Sequence, residues 1–193
     1  MALALIRMNY LLALFLLSIG NLSLNAQDYD YINRAEKLIN ANKNLPRALK
    51  LLDKAVQGDY GFCGNAYASA FWNMHYLRAR VYNEQKEYLL GLKELDSITS
   101  CAFGGNCSAS DSLKFEILNK AFDKSKILKS LESLSDSLIY RDSLLWSYRV
   151  CIDLELIEYT FCFFVNKDLM ANKKSMTLKE ILTEMNIYAK FEE

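Results

Sequence analysis

Residues 74–98 hold two apolar-periodic segments joined by a polar turn, and this arrangement restricts the possible folds more than any other part of the sequence. Apolar side chains recur there every three or four residues, which is the spacing of a helix that buries one face. Four polar residues, 83–86, separate the two segments. Small residues, Ala79 and Gly91, stand where the two helices would cross closely. The stretch therefore predicts a helical hairpin.

Few residues elsewhere in the chain interrupt helices. The 193 residues include one Pro and seven Gly, and five of the Gly lie in residues 58–65 and 99–111. Sandwiches and barrels need many more turns than this composition supplies. Apolar side chains at helical spacing continue through residues 31–42, 46–56 and 113–138. We therefore predict an all-α fold of six to eight helices in antiparallel pairs.

The last part of the chain is also predicted to be helical. Residues 144–165 are the most apolar stretch after the first 26 residues, and a few acidic side chains interrupt them. We interpret them as one buried or partner-covered helix, although the run 159–165 is ambiguous between helix and strand. Thr177 and Glu180 have the spacing of a capping box ahead of an apolar run, which predicts a final helix.

The first 26 residues have the layout of a secretory signal peptide. Arg7 is the only charged residue among them, and residues 11–19 form an almost unbroken apolar run. Ala26 ends the segment with a small side chain. We expect cleavage after Ala26, so that the mature protein begins near Gln27 and is exported to the periplasm or the extracellular space.

Two classes of partner are disfavoured by the sequence. The apolar run near the N-terminus is shorter than the ~20 residues that a spanning helix needs, so an uncleaved anchor is the weaker alternative and no stable membrane span is expected after cleavage. Lys and Arg together number 23, as do Asp and Glu, so the formal net charge is zero. That balance argues against a nucleic-acid partner, because clustered positive charge supplies most of the non-specific affinity.

The predicted hairpins carry residues that resemble the signature of a tetratricopeptide repeat. In each second helix, small and apolar residues recur at offsets of about four and seven: Ala48, Leu52 and Ala55, then Gly91, Leu95 and Ile98. The small and aromatic residues of a first helix and of the following turn are matched by Ala79, Tyr82 and Tyr88. The resemblance covers about residues 30–100. The distance from Ala48 to Gly91 is roughly nine residues longer than the standard repeat of about 34.

This resemblance implies a short α-solenoid of stacked antiparallel hairpins over residues 27–110. Residues 111–193 would add C-terminal helices packed on the same domain. In such arrays the first helices of successive pairs line a concave surface that binds peptides or other proteins. The implied function is an exported, non-enzymatic protein–protein interaction module or scaffold.

The candidate partner-binding residues are those on the non-core side of the two first helices: Asn33, Lys37, Asn40, Asn73, Tyr76, Arg80 and Asn83. Lys37 and Arg80 would offer positive charge to a peptide carboxylate, Arg80 in a bidentate manner. Tyr76 would provide apolar area with a polar tip. The alternative is a solvated face without a partner.

No constellation of residues in the sequence indicates an enzyme. His75 is the only histidine and has no nucleophile motif beside it. Cys63, Cys101, Cys107 and His75 do not have the spacing of a zinc site, and we expect neither a metal nor another cofactor. A structural assembly subunit that uses the apolar 144–165 helix is the leading alternative, and an exported hydrolase is a weaker one.

The five cysteines of an exported chain are more often disulfide material than metal ligands. Cys63, Cys101 and Cys107 lie in the two Gly-rich segments, which adjacent hairpins would bring together. We expect a Cys63–Cys101 bond first, with Cys63–Cys107 and Cys101–Cys107 as alternatives. On a single helix Cys151 and Cys162 would be about 16 Å apart, so we expect both to be buried thiols.

Overall fold

The structure is a computed structural model that describes residues 29–60, 64–101, 105–134, 138–140, 147–170 and 173–192. The expected signal segment, residues 1–26, and Cys63 lie outside these ranges. The described chain is mostly helical. Its helices are α1 (residues 29–40), α2 (Leu45–Val56), α3 (Gly64–Glu84), α4 (Tyr88–Ser97), α5 (Cys107–Ala121), α6 (Lys124–Glu132), α7 (Leu178–Glu184) and α8 (Ala189–Glu192).

Four short strands accompany the helices: β1 (Leu138–Tyr140), β2 (Ser147–Leu154), β3 (Tyr159–Asn166) and β4 (Ser175–Thr177). They form two antiparallel pairs, β1 with β4 and β2 with β3. The helical prediction is thus confirmed in its coarse form. The described strands make the fold less purely helical than the sequence indicates.

The prediction of one helix over residues 144–165 is wrong, because β2 and β3 form an antiparallel hairpin there. Val150, Ile152 and Leu154 are buried, whereas Cys151 and Asp153 between them are exposed. This alternation has the period of two that a strand with one buried face requires. The assembly-subunit alternative depended on an apolar helix in this region and loses that basis.

The turn of this hairpin explains how the chain reverses within a dense apolar run. A single 3₁₀ turn, Glu155–Ile157, follows β2, and Glu158 then adopts a left-handed backbone with φ of 53°. Two acidic residues at this reversal stay exposed to water. These two charges therefore mark the bend between two strands and do not interrupt a helix.

The capping box expected before the last long helix is present and joins β4 to α7. The Thr177 hydroxyl accepts a hydrogen bond from the Glu180 amide, and the Glu180 carboxylate accepts one from the Thr177 amide. The Thr177 amide and, after it, the Thr177 hydroxyl donate to the Glu180 carboxylate and hold its pKa below the ordinary value. The motif satisfies two backbone donors that the first turn of a helix otherwise leaves open.

The chain divides into two compact units. Of the described residues, those up to Val81, with Gly105, belong to the N-terminal unit, and the others belong to the C-terminal unit. The core of the N-terminal unit is built from buried alanine and larger apolar side chains of α1, α2 and α3: Ile32, Ala35, Ile39, Ala48, Leu52, Ala55, Ala70, Met74, Leu77 and Val81. The alanines let the helices approach closely.

The C-terminal unit has an aromatic core. Phe161 of β3 lies at its centre, with ring centroids 5.3 Å from Phe115, 5.2 Å from Phe163 and 6.4 Å from Phe191. Offset and edge-to-face contacts of this kind are favourable beyond the area that they bury. α5, β3 and α8 are therefore joined through one cluster of phenylalanines.

The first helix of each predicted hairpin ends in the same backbone motif. At the end of α3 the Glu87 amide donates to the Tyr82 carbonyl and the Lys86 amide to the Asn83 carbonyl. This is the Schellman pattern, and it places Lys86 in the left-handed region with φ of 62°. Asn42, with φ of 47°, has the equivalent position at the end of α1.

Replacing Lys86 by Gly is expected to stabilise the protein by about 1 kcal/mol, because a left-handed backbone strains a lysine and not a glycine. Urea denaturation followed by circular dichroism measures the change. Asn42→Gly is the matched control. It should stabilise by less, since Asn tolerates the left-handed region better than Lys. An unchanged or lowered midpoint for Lys86→Gly would contradict the assignment of this turn.

Candidate functional site

The long helix α3 is buried along two separate stripes. One stripe, Ala70, Met74, Leu77 and Val81, belongs to the core of the N-terminal unit. Trp72 and Ala79 are also buried, at 7% and 0% exposure, and lie on a different side of the helix. With about 100° between successive residues, two partly exposed faces remain between the stripes.

One of these faces carries the residues that the sequence assigned to partner binding. Asn73, Tyr76 and Arg80 follow one another at offsets of three and four and are all partly exposed. The Tyr76 ring stacks on Trp72, with centroids 4.7 Å apart and planes at 16°. The Asn73 amide donates to the Ser69 carbonyl at 2.9 Å. Among the residues that the structure describes, Arg80 has no ion-pair partner.

The three candidates on α1 are fully at the surface. Asn33, Lys37 and Asn40 are exposed, on the side of the helix away from Ile32, Ala35 and Ile39. They make an accessible polar face. Their positions agree with the expectation that they avoid the core.

Asn83 does not belong to the exposed face. It is only 8% exposed, its amide donates to Glu116 Oε1 at 2.8 Å, and its carbonyl oxygen accepts from Lys120 Nζ at 3.2 Å. Bonds from Lys120 and Asn83 hold the pKa of the Glu116 carboxyl below its ordinary value. Asn83 therefore fixes the end of α3 to α5, and the expectation that it lies on an accessible surface is wrong.

The other partly exposed face of α3 carries a row of rings. Tyr67, Phe71 and His75 are spaced four residues apart, with centroid distances of 6.1 Å and 4.3 Å between neighbours. The row continues from Tyr67 to Tyr60 at 6.4 Å. The four-residue spacing of these aromatic residues is visible in the sequence, but only His75 was considered there, as a candidate catalytic or zinc-binding residue. His75 packs against Phe71.

A buried polar cluster occupies the C-terminal unit. Lys114 of α5 is 2% exposed, and its Nζ donates to Asp96 Oδ1 at 2.9 Å and to the Cys162 carbonyl at 2.7 Å. The Tyr159 hydroxyl donates to Asp96 Oδ2 at 2.7 Å. Arg149 donates to the Asp96 backbone carbonyl at 2.8 Å. Burial, followed by the charge of Asp96, raises the pKa of Tyr159, so the hydroxyl remains a donor.

Asp111 lies one turn before Lys114 and is 8% exposed. Its Oδ2 accepts a hydrogen bond from the Phe164 amide at 3.0 Å. Its Oδ1 has no hydrogen-bond partner in the described structure. Burial raises the pKa of this carboxyl from its ordinary 3.8 to about 6, against the opposing effects of the Phe164 amide and the Lys114 charge.

Together, the side chains of Asp111 and Lys114 form hydrogen bonds with backbone groups at one edge of the β2–β3 hairpin. Cys151 and Cys162 stand directly opposite each other with Cα atoms 4.0 Å apart. This is the close pair of an antiparallel ladder, whose backbone groups point away from the neighbouring strand. The Cys162 carbonyl and the Phe164 amide therefore lie on the outer edge of β3, where the two α5 side chains bond them.

A pocket of about 550 Å³ opens beside this cluster, within the C-terminal unit. Asp111 is part of its wall, and Cys107, Ser108, Ser112 and Lys190 contribute further polar atoms. Its apolar walls come from Phe115, Phe164, Leu169, Met185 and Ile187. This site was not predicted from the sequence, since its residues come from α5, β3, a second 3₁₀ turn at Lys167–Met170 and the C-terminal segment.

Two disulfides are present, and both correct the sequence-based assignment. Cys101 is bonded to Cys107, the small-ring alternative, so the preferred Cys63–Cys101 bond is excluded in this structure. Cys151 and Cys162 are bonded across the β2–β3 hairpin and are not buried thiols. The predicted distance between these two cysteines is too large, because it assumes one helix. The two residues lie opposite each other on two strands.

No protein-family model matches this sequence, and neither its sequence nor its fold has a significant match among curated proteins or solved structures. None of the described helices combines the length and apolar character needed to cross a membrane. Within the same described ranges, no group of three or more His, Cys, Asp or Glu side chains is arranged to hold a metal ion.

Proposed function

We propose that this protein is an exported, non-enzymatic interaction module that binds a peptide or a segment of another protein through the N-terminal unit. The binding face comprises Asn33, Lys37 and Asn40 of α1, together with Asn73, Tyr76 and Arg80 of α3. Asn83 is omitted, since it is buried and bonded to Glu116. The partner's class is a chain with an exposed carboxylate, either a C-terminus or an acidic side chain.

The observation that carries this proposal is the half-exposed face of α3 between its two buried stripes. Burial on both sides holds the helix rigidly, and stacking on Trp72 fixes the ring of Tyr76. Arg80 has no ion-pair partner among the described residues, so its guanidinium is available for bidentate bonds to a carboxylate. A fixed aromatic ring beside an available arginine is a combination typical of binding hot spots.

The tetratricopeptide-like arrangement is part of the proposal and has support from packing. Signature residues in α2 and α4 are buried: Ala48, Leu52 and Ala55 at 0%, and Leu95 and Ile98 at 1%. The shared Schellman ends of α1 and α3 give both hairpins the same turn chemistry. We infer that the two hairpins are diverged copies of one repeat unit.

Export to the periplasm or the extracellular space is proposed on two grounds. Residues 1–26 have the composition of a signal peptide. The two disulfides, Cys101–Cys107 and Cys151–Cys162, are typical of proteins that mature in an oxidising compartment.

The test uses protein purified from the exported fraction, where its first residue is expected to be Gln27. A peptide library with free C-terminal carboxylates is panned against it, and the tightest binder is titrated by fluorescence polarisation. Arg80→Ala is expected to weaken binding by about 10- to 100-fold, the range for a lost bond between charged groups.

Lys50→Ala is the matched control for this titration. Lys50 is an exposed cation of the same unit on α2, and its removal should leave the affinity within a factor of about two. Equal affinities of the Arg80→Ala variant and the unmodified protein would refute the α3 face. So would a library that yields no binder.

A further inference from the structure

The pocket of the C-terminal unit has the dimensions and lining of a small-molecule site. Its volume of about 550 Å³ falls within the 300–1,000 Å³ typical of such sites. Phe115 and Phe164 supply aromatic walls, and Leu169 and Ile187 supply aliphatic ones. A largely apolar cavity with one buried acid in its wall selects for an apolar body that carries one polar group.

The unpaired carboxylate oxygen of Asp111 indicates that this polar group is a hydrogen-bond donor. More than nine-tenths of the residue is buried, and Oδ1 lacks a hydrogen-bond partner while Oδ2 is held by the Phe164 amide. A buried acceptor without a donor is unfavourable. It becomes favourable when a ligand brings the donor.

We propose that this pocket binds a small organic amine, with its ammonium group at Asp111 and its apolar body between Phe115, Phe164 and Ile187. A carboxylate ligand is disfavoured, because it would place a second negative charge beside Asp111. A neutral alcohol supplies a donor without a charge, so its bond to the carboxylate is weaker.

The Lys114 ammonium does not fill this role. Its Nζ is committed to Asp96 Oδ1 and the Cys162 carbonyl. Lys190, the other cation of the lining, is exposed to solvent, where its charge is screened. Oδ1 exposes less than 1 Å², so the proposal requires the carboxylate to turn toward the cavity when an ammonium group enters.

The experiment titrates the exported, full mature protein with phenethylamine and, separately, with phenethyl alcohol, a ligand of nearly the same shape without the charge. Chemical shifts of backbone amides report binding and locate it. The amine is expected to bind at least tenfold more tightly than the alcohol and to shift the amides of residues 107–115 and 164. This comparison needs no variant.

Asp111→Asn is then expected to remove the preference for the amine, because the asparagine side chain carries no charge that favours an ammonium group over a hydroxyl. Glu184→Gln, an exposed acid on α7 outside the lining, should retain the preference. Equal affinities for amine and alcohol, binding of neither at millimolar concentration, or an undiminished preference in Asp111→Asn would each overturn the assignment. None of these results bears on Arg80, so the two proposals fail independently.

Discussion

Lys114→Met is expected to destabilise the protein by about 3 kcal/mol. The lysine side chain is 3% exposed, and it donates to Asp96 and to the Cys162 carbonyl. The substitution leaves the Cys162 carbonyl without this donor and takes the cation away from Asp96, whose side chain is 28% exposed and keeps the Tyr159 hydrogen bond. The cost therefore lies at the lower end of the range for a broken buried pair. Urea denaturation monitored by circular dichroism gives the difference in unfolding free energy.

The matched control for this substitution lies two turns away on the same helix. Lys120 also pairs with an acid, Glu116 Oε1 at 2.6 Å, but its side chain is 44% exposed. Lys120→Met should therefore cost about 1 kcal/mol or less. Adding Asp96→Asn to Lys114→Met should recover part of the lost stability, because residue 96 then carries no charge that lacks its cation. Equal costs for the two lysines would contradict the account of a buried pair.

Asp111→Asn is expected to change how stability depends on pH. The folded-state pKa of about 6 lies above the ordinary value of 3.8, so the folded protein holds this proton more tightly than the unfolded chain. The stability that the protonated Asp111 contributes to the fold is fully present below pH 3.8 and is lost as pH rises through 6. Two units of pKa correspond to about 3 kcal/mol.

The difference in unfolding free energy between Asp111→Asn and the unmodified protein gives the contribution of Asp111 alone, because the other acids are the same in both proteins. It should shift by about 2.4 kcal/mol in favour of the variant between pH 4 and pH 7.5, because part of the effect already lies below pH 4. Denaturation midpoints at four or five pH values measure it. A difference for Asp111→Asn that does not vary with pH would show that burial does not raise this pKa.

The helical part of the fold was accessible from the sequence because its signals are local. Each of these signals acts within one or two turns of a helix. They are the polar residues 83–86 at the end of α3, the small residues Ala79 and Gly91, and the Thr177–Glu180 capping box. The packing that buries Leu52 and Leu95 follows from the same periodicity. These elements needed no knowledge of distant contacts.

The β2–β3 hairpin and the pocket depend on contacts between distant residues, and the sequence analysis missed both. The alternation of Val150, Ile152 and Leu154 was a strand signal, but the apolar density of β3, which is buried on both faces, obscured it. Asp111 is bonded to the amide of Phe164, and Lys114 to the carbonyl of Cys162, each about 50 residues away. A single sequence contains no local sign of such pairs.

The hydrogen bonds from α5 to the outer edge of β3 protect this strand from pairing with other chains. Tyr159–Asn166 has no charged residue, proline or glycine, and six of its eight residues are aromatic or aliphatic or cysteine. Such segments stack into cross-β aggregates when their edges are free. Asp111 and Lys114 occupy that edge in the native state. Detachment of α5 is therefore expected to expose the edge of a strand that has the composition of aggregation-prone segments.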